Sequence, residues 1–116
     1  MKPFAIIIGL TAIICVSSCS SPTNPEANAS KIIEKARLHL MNGRYDAARD
    51  SIFSMRRQYP TALQSRAQGI LLLDSIEMLA AQDSMGSATG EEWKRLSVKA
   101  QFFERKLQED KKKLAK

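Results

Sequence analysis

The chain is 116 residues long, 44% hydrophobic and 26% charged, with a formal net charge of +6. That length supports one small domain, and two cysteines cannot staple a disulfide-rich scaffold. Valine and threonine are sparse, no run alternates with a period of two, and no turn dipeptide joins two strand-like runs, which excludes a β-built chain.

The chain opens with Met1-Lys2, a short positive start, followed by the apolar run Phe4 to Val16. The run is too short to cross a bilayer, which takes roughly 20 residues, and it has the makeup of a signal peptide. Val16-Ser17-Ser18-Cys19 comes next: an aliphatic residue, two small residues and a cysteine. This order resembles the lipobox of bacterial lipoproteins. The resemblance implies removal of residues 1–18, diacylation of the Cys19 thiol, and acylation of its new amine. Cys15 follows Ile13 and Ile14, too bulky for a signal peptidase pocket, and leaves with the discarded peptide. The mature chain would then hold neither a free thiol nor a disulfide, which removes cysteine nucleophiles and redox chemistry. Acyl chains on Cys19 would suffice to hold the protein on a membrane. Ser20 follows rather than Asp, and by the lipoprotein sorting rule that places the anchor in the outer membrane, facing the periplasm. Export also argues against nucleic acid as a partner, despite the basic charge.

Residues 19–29 read as the lipidated cysteine and a tether. Pro22 and Pro25 disfavour a helix there, and Ser, Thr and Asn dominate the rest. A three-helix region is expected over 30–82. Ile32, Ile33, Ala36 and Leu40 form one helical stripe; Tyr45, Ala48, Ile52, Met55 and Tyr59 form a second. Asn42-Gly43 between them fits a helix end that needs a left-handed residue, and Pro60 stops the second helix. The set Ala36, Gly43, Tyr45, Ala48, Ile52 and Pro60 resembles a single tetratricopeptide repeat, although Ile32 stands where the family has Trp and Met55 where a small residue is common. The resemblance covers roughly residues 29 to 62 and implies a helical hairpin that binds or scaffolds other proteins. An ordinary helical hairpin with the same turn chemistry is the alternative.

Thr61-Ala62-Leu63-Gln64 has the form of a capping box and opens a third helix running to about Gln82. Ile70-Leu71-Leu72-Leu73 is apolar on every side, which predicts a central helix, with Asp74 and Glu77 marking its solvent side. Residues 83–90 read as a loop. Thr89-Gly90-Glu91-Glu92 is a second capping box. The last helix, 91–116, carries Trp93, Leu96, Ala100, Phe103, Leu107, Asp110 and Leu114 at heptad spacing, broken only at Asp110. It can fold back on the third helix or pair with another subunit. The expected fold is all-α: a tetratricopeptide-like helical hairpin followed by two long helices packed as an antiparallel hairpin.

Candidate functional residues are few. Tyr45, Arg49, Arg56 and Tyr59 lie on or near the second helix and could reach a protein partner. His39 is the sole histidine and has no nucleophile or orienting carboxylate at a fixed spacing, so a packing role is expected and no catalytic residue is assigned. Asp74 and Glu77 could share a metal, but lack a third ligand; a solvated face is the simpler expectation, and no metal or cofactor is assigned. Lys111-Lys112-Lys113 with Lys116 either complement the negative end of the last helix or touch an anionic lipid or polysaccharide. The composite reading is a lipid-anchored, non-catalytic interaction module of the cell envelope. A self-associating helical spacer, oligomerising through 91–114, is the alternative, and an envelope enzyme a distant third.

Overall fold

The structure, a computed structural model, describes residues 24–115. The signal peptide, the lipobox, Cys19, the tether up to Thr23 and the terminal Lys116 lie outside the described residues. Four helices and no strand are present among the described residues: α1 (Pro25–Met41), α2 (Tyr45–Gln58), α3 (Leu63–Met85) and α4 (Gly90–Leu114). The expected all-α fold, with a helical hairpin followed by two long antiparallel helices, is the one observed.

The α1–α2 turn forms by the expected chemistry. Gly43 has φ +74°, and its N–H donates to the Leu40 carbonyl at 3.0 Å while Arg44 N–H reaches the His39 carbonyl at 2.9 Å. Ala36 and Ala48 are fully buried, so small side chains let the two helices close on each other. Ile52 and Met55 then fill the space between α1, α2 and α3, together with Ile33, Leu72 and Ile76. Gly69 brings the α3 backbone onto this layer. A Cβ at position 69 would meet Met55 Cε at 3.2 Å and Ile52 Cγ2 at 3.3 Å.

Helix α3 touches all three other helices, and α4 packs on α3 alone. The central role expected from its all-round apolar run is therefore correct. On the second side, Ala81 of α3 packs with Leu96 and Ala100 of α4, and Leu107 is buried further along. The heptad seam of α4 is thus used within the chain.

The helix ends differ from expectation. The tether does not extend to residue 29, because α1 starts at Pro25. Proline is tolerated in the first turn, where its missing N–H would lack a partner anyway, and Asn24 caps the helix by accepting from Ala27 N–H at 3.1 Å. The third helix runs to Met85, so Asp83 is helical and the connection to α4 is shorter than 83–90. Neither capping box forms: Ala62 and Thr89 hold the N-cap positions without a side-chain bond. The orphan donors of α3 are met from α1 instead. The Glu26 carboxylate accepts from Gln64 N–H at 2.8 Å, Ser65 N–H at 3.1 Å and the Ser65 hydroxyl at 2.9 Å. A cap that sequence would place three residues away is supplied from another helix.

Two predictions follow from this packing. Gly69→Leu overfills the α1–α2–α3 layer and costs about 1–3 kcal/mol in denaturant unfolding, against a small effect for Gly69→Ala, whose gain in helix propensity offsets the crowding. The second concerns Glu26. Partial burial works against its charge, but the Gln64 and Ser65 donors outweigh this and hold its pKa below the usual carboxylate value. A depressed pKa contributes stability above the unfolded value and loses it as pH falls through the folded one. Glu26→Ala therefore lowers the melting temperature at neutral pH, and the gap to the parent chain closes below about pH 4.

Candidate functional site

Asp74 and Glu77 do not mark a solvent side. Asp74 is 3% exposed, and both residues sit on the flanks of α3 where other helices arrive. Arg49 of α2 grips Glu77 with two donors, Nε and Nη2, the latter at 3.0 Å. Lys99 of α4 approaches the same carboxylate at 3.8 Å. Glu77 therefore joins α2, α3 and α4. One turn earlier, Lys106 of α4 donates to Asp74 at 3.1 Å and to Asp110 at 2.8 Å. The residue that breaks the heptad seam thus lies opposite the residue that breaks the apolar run of α3.

This second cluster brings two carboxyls to one ammonium. Asp74 Oδ2 is buried without a hydrogen-bond partner among the described residues. Burial first, then Asp110, pushes the Asp74 carboxyl up to about 6, against the pull of Lys106. Asp110, held by Asp74 and Lys106, titrates below its ordinary value. A proton on Asp74 turns the orphaned oxygen into a donor toward Asp110 and leaves one carboxylate facing Lys106. Loss of that proton leaves two carboxylates and one ammonium in the α3–α4 seam. The pair titrates as a unit.

The four residues expected to reach a partner are placed within the packing of the molecule. Tyr45 and Tyr59 pack against the core, and the Tyr45 hydroxyl donates to Asp83 at 3.2 Å. Arg49 is held by Glu77 and by Asp46, the latter at 2.6 Å. Arg56 lies over the Phe53 ring, 5.7 Å from its centroid. Tyr45 and Arg49 line a groove of about 410 Å³ with Gly43, Ala80 and Ser84, while Arg56 and Tyr59 lie at the other end of α2, so the four do not form one surface. His39 is half-buried in the last turn of α1, consistent with packing. No group of three potential metal ligands occurs among the described residues, and no described helix is long and apolar enough to cross a membrane.

Further open surface lies at the opposite end and on α4. A groove of about 430 Å³ runs between the start of α3 and the end of α4, lined by Gln64, Ala67, Gln68, Leu71, Lys111 and Leu114. On the outer face of α4, Val98 is 67% and Phe102 51% exposed, with Phe102 stacked edge-on against Phe103 at 5.0 Å. Trp93, expected in the seam, is 44% exposed. The sequence carried a signal for the Asp74 cluster: an acid inside the apolar run and an acid inside the heptad seam. Their pairing needed the register of α4 on α3.

The chain matches no family model, no curated protein and no solved structure.

The Asp74 cluster generates a pH dependence. A raised carboxyl pKa contributes stability that is full below the unfolded value, about 3.9, and is lost as pH rises through the folded value near 6. Asp110, with its depressed pKa, loses its contribution only in acid. Stability should fall by about 1–3 kcal/mol between pH 5 and pH 8. Asp74→Asn should remove most of that fall in thermal melts. A parent chain with a flat profile over this range would contradict the shared proton.

Proposed function

We propose that this chain is a lipid-anchored, non-catalytic protein-interaction module of the bacterial cell envelope. The observation that carries the reading is the order Val16-Ser17-Ser18-Cys19 behind an apolar run, shortly before the capping residue Asn24 of the first helix. The helical unit that follows supports it. Its carboxylates at Asp74 and Glu77 are tied to Arg49, Lys99 and Lys106 across helices, while Asp46 and Asp110 pair within their own helices, structural roles for each. The hairpin's resemblance to a tetratricopeptide unit points the same way, toward binding rather than catalysis. Surface for a partner exists in the α3–α4 groove and on the Val98–Phe102 face, and these replace Tyr45, Arg49, Arg56 and Tyr59 as the favoured contact residues.

Self-association is the second reading, favoured by one observation. With Leu96, Ala100 and Leu107 buried in the chain's own packing, Val98 and Phe102 remain exposed four residues apart on α4, at neighbouring positions of one helical face.

Metabolic labelling with an alkynyl fatty acid tests the anchor: the parent chain should incorporate the label and pellet with membranes, and Cys19→Ala should do neither. Affinity capture from native membranes then separates the two readings. One envelope protein captured by the parent and lost with Cys19→Ala supports the module. Recovery of the chain alone, released by Phe102→Asp, supports self-association.

A further inference from the structure

The helices sort the charges of the molecule between its two ends. Glu26 at the start of α1 bonds Gln64 and Ser65 at the start of α3, so these two N-termini share one end. The groove that joins Gln64 to Lys111 and Leu114 brings the end of α4 to the same place. The α1–α2 turn makes α2 antiparallel to α1, so its last turn, Arg56 and Arg57, also arrives there. This end therefore gathers Arg56, Arg57, Arg66, Lys111, Lys112 and Lys113.

Pairing differs between the ends as well. At the far end, three pairs neutralise within one turn, Asp46 with Arg49, Glu91 with Lys94, and Glu92 with Arg95, and Arg44 alone is exposed there without an ion pair among the described residues. At the near end Arg57, Lys111 and Lys112 are exposed and hold no ion pair among the described residues. Lys113 is also exposed and acts on the charge of Asp110. Exposed Leu63 and Leu114 sit among these cations, at 70% and 42%.

The near end is also where the chain leaves toward its amino terminus. Only the residues from Ser20 to Asn24 separate it from Cys19, a reach under about 20 Å even when fully extended. We infer that this basic end is a contact surface for anionic phospholipid headgroups, holding the bundle upright on the membrane that anchors it. The inference rests on the lipid-anchor reading for where the membrane lies. The cations attract the negative bilayer surface over a Debye length of about 8–10 Å, and the two leucines enter the headgroup boundary beside them. The far end then stands roughly 35 Å from the surface, the length of α3; the end of the α3–α4 groove at Lys111 and Leu114 faces the lipid, which leaves the Val98–Phe102 face for protein partners.

The test uses the full chain purified from membranes and reconstituted in vesicles, either of phosphatidylcholine alone or with one third phosphatidylglycerol. Amine labelling of individual lysines is read by mass spectrometry. The expected result is labelling of Lys111, Lys112 and Lys113 about three- to tenfold lower on the anionic vesicles, restored at roughly 0.5 M salt, with Lys94 at the far end unchanged. Arg57→Gln, on a different helix, should weaken the protection while leaving the melt unchanged. Equal labelling on both vesicle types overturns the inference and returns the lysines to a purely intrahelical role. Protection by soluble heparin without protection by phosphatidylglycerol also overturns it. Intact mass of the same sample reads acylation of Cys19. An acylated chain with indifferent lysines loses the surface and keeps the anchor; an unacylated chain protected on anionic vesicles loses the anchor and keeps the surface.

Discussion

Everything in this fold depends on one helix being buried from two sides. The run Ile70 to Leu73 leaves α3 no polar face along its middle, so burial on one side alone would expose apolar surface on the other. The α1–α2 hairpin covers one side, where Gly69 lets the backbones approach, and α4 covers the other. Neither layer stands without α3. The hairpin alone would expose Ile52 and Met55, which are fully buried, and α4 has no other helix to rest on. The order of the chain reflects this constraint. The central helix follows the hairpin that sheathes its first side and precedes the helix that sheathes its second.

Apolar contact fixes that α4 packs on α3; the short connection between Met85 and Gly90 limits its register. A one-heptad slide would bring Phe103, Leu107 and Leu114 to the places of Leu96, Ala100 and Leu107, so the slipped seam stays apolar although the larger Leu107 would replace Ala100. Lys99, Lys106 and Lys113 share the same seven-residue spacing, so the slide would also bring a lysine to Asp74. At the observed register Lys99 meets Glu77 and Lys106 meets Asp74, and the four residues between α3 and α4 oppose a slide of about 10 Å, one heptad at 1.5 Å per residue. The same carboxylates reach the other layer, since Arg49 of α2 holds Glu77 from the opposite flank. Buried ion pairs are weak contributors to net stability, and here they sit two to three turns along α3 from its connection to α4, where they tie α4 to α3 along its length.

The residues that were legible in the sequence are those whose signals are local. Gly43, Ala36, Ala48 and Pro60 each announce a turn, a close approach or a stop, and the hairpin forms as they indicate. Helix ends were less legible because their partners are distant. Thr61 and Gln64 have the form of a local cap, yet the donors they would satisfy are taken by Glu26, 38 and 39 positions away along the chain. Pro25 looked like a helix breaker because proline at a first turn and proline in a tether are indistinguishable until the cap at Asn24 is seen. Asp74 and Glu77 were assigned to solvent by residue type alone. Their partners, 28 to 32 positions distant, lie on helices whose faces cannot be matched without packing. The engagement of Tyr45 and Arg49 on α2 was hidden for the same reason: a tyrosine or arginine on a helix gives no hint of whether its polar end already has a partner.

A lone repeat-like hairpin raises a physical question, since such units normally bury their faces against neighbours and need polar caps at both ends of the stack. This chain resolves it internally. Helix α3 takes the place of the next repeat, and α4 covers its far side with a seam of three well-buried residues, Leu96, Ala100 and Leu107. The outward face of α4 is charged apart from Val98 and Phe102, with Glu92 and Arg95 paired along it. A face of that character ends a stack rather than extending it. The unit is therefore closed on the α4 side, which leaves growth by further repeats without a template there and shifts any recognition to the ends, the α3–α4 groove and the short apolar step on α4.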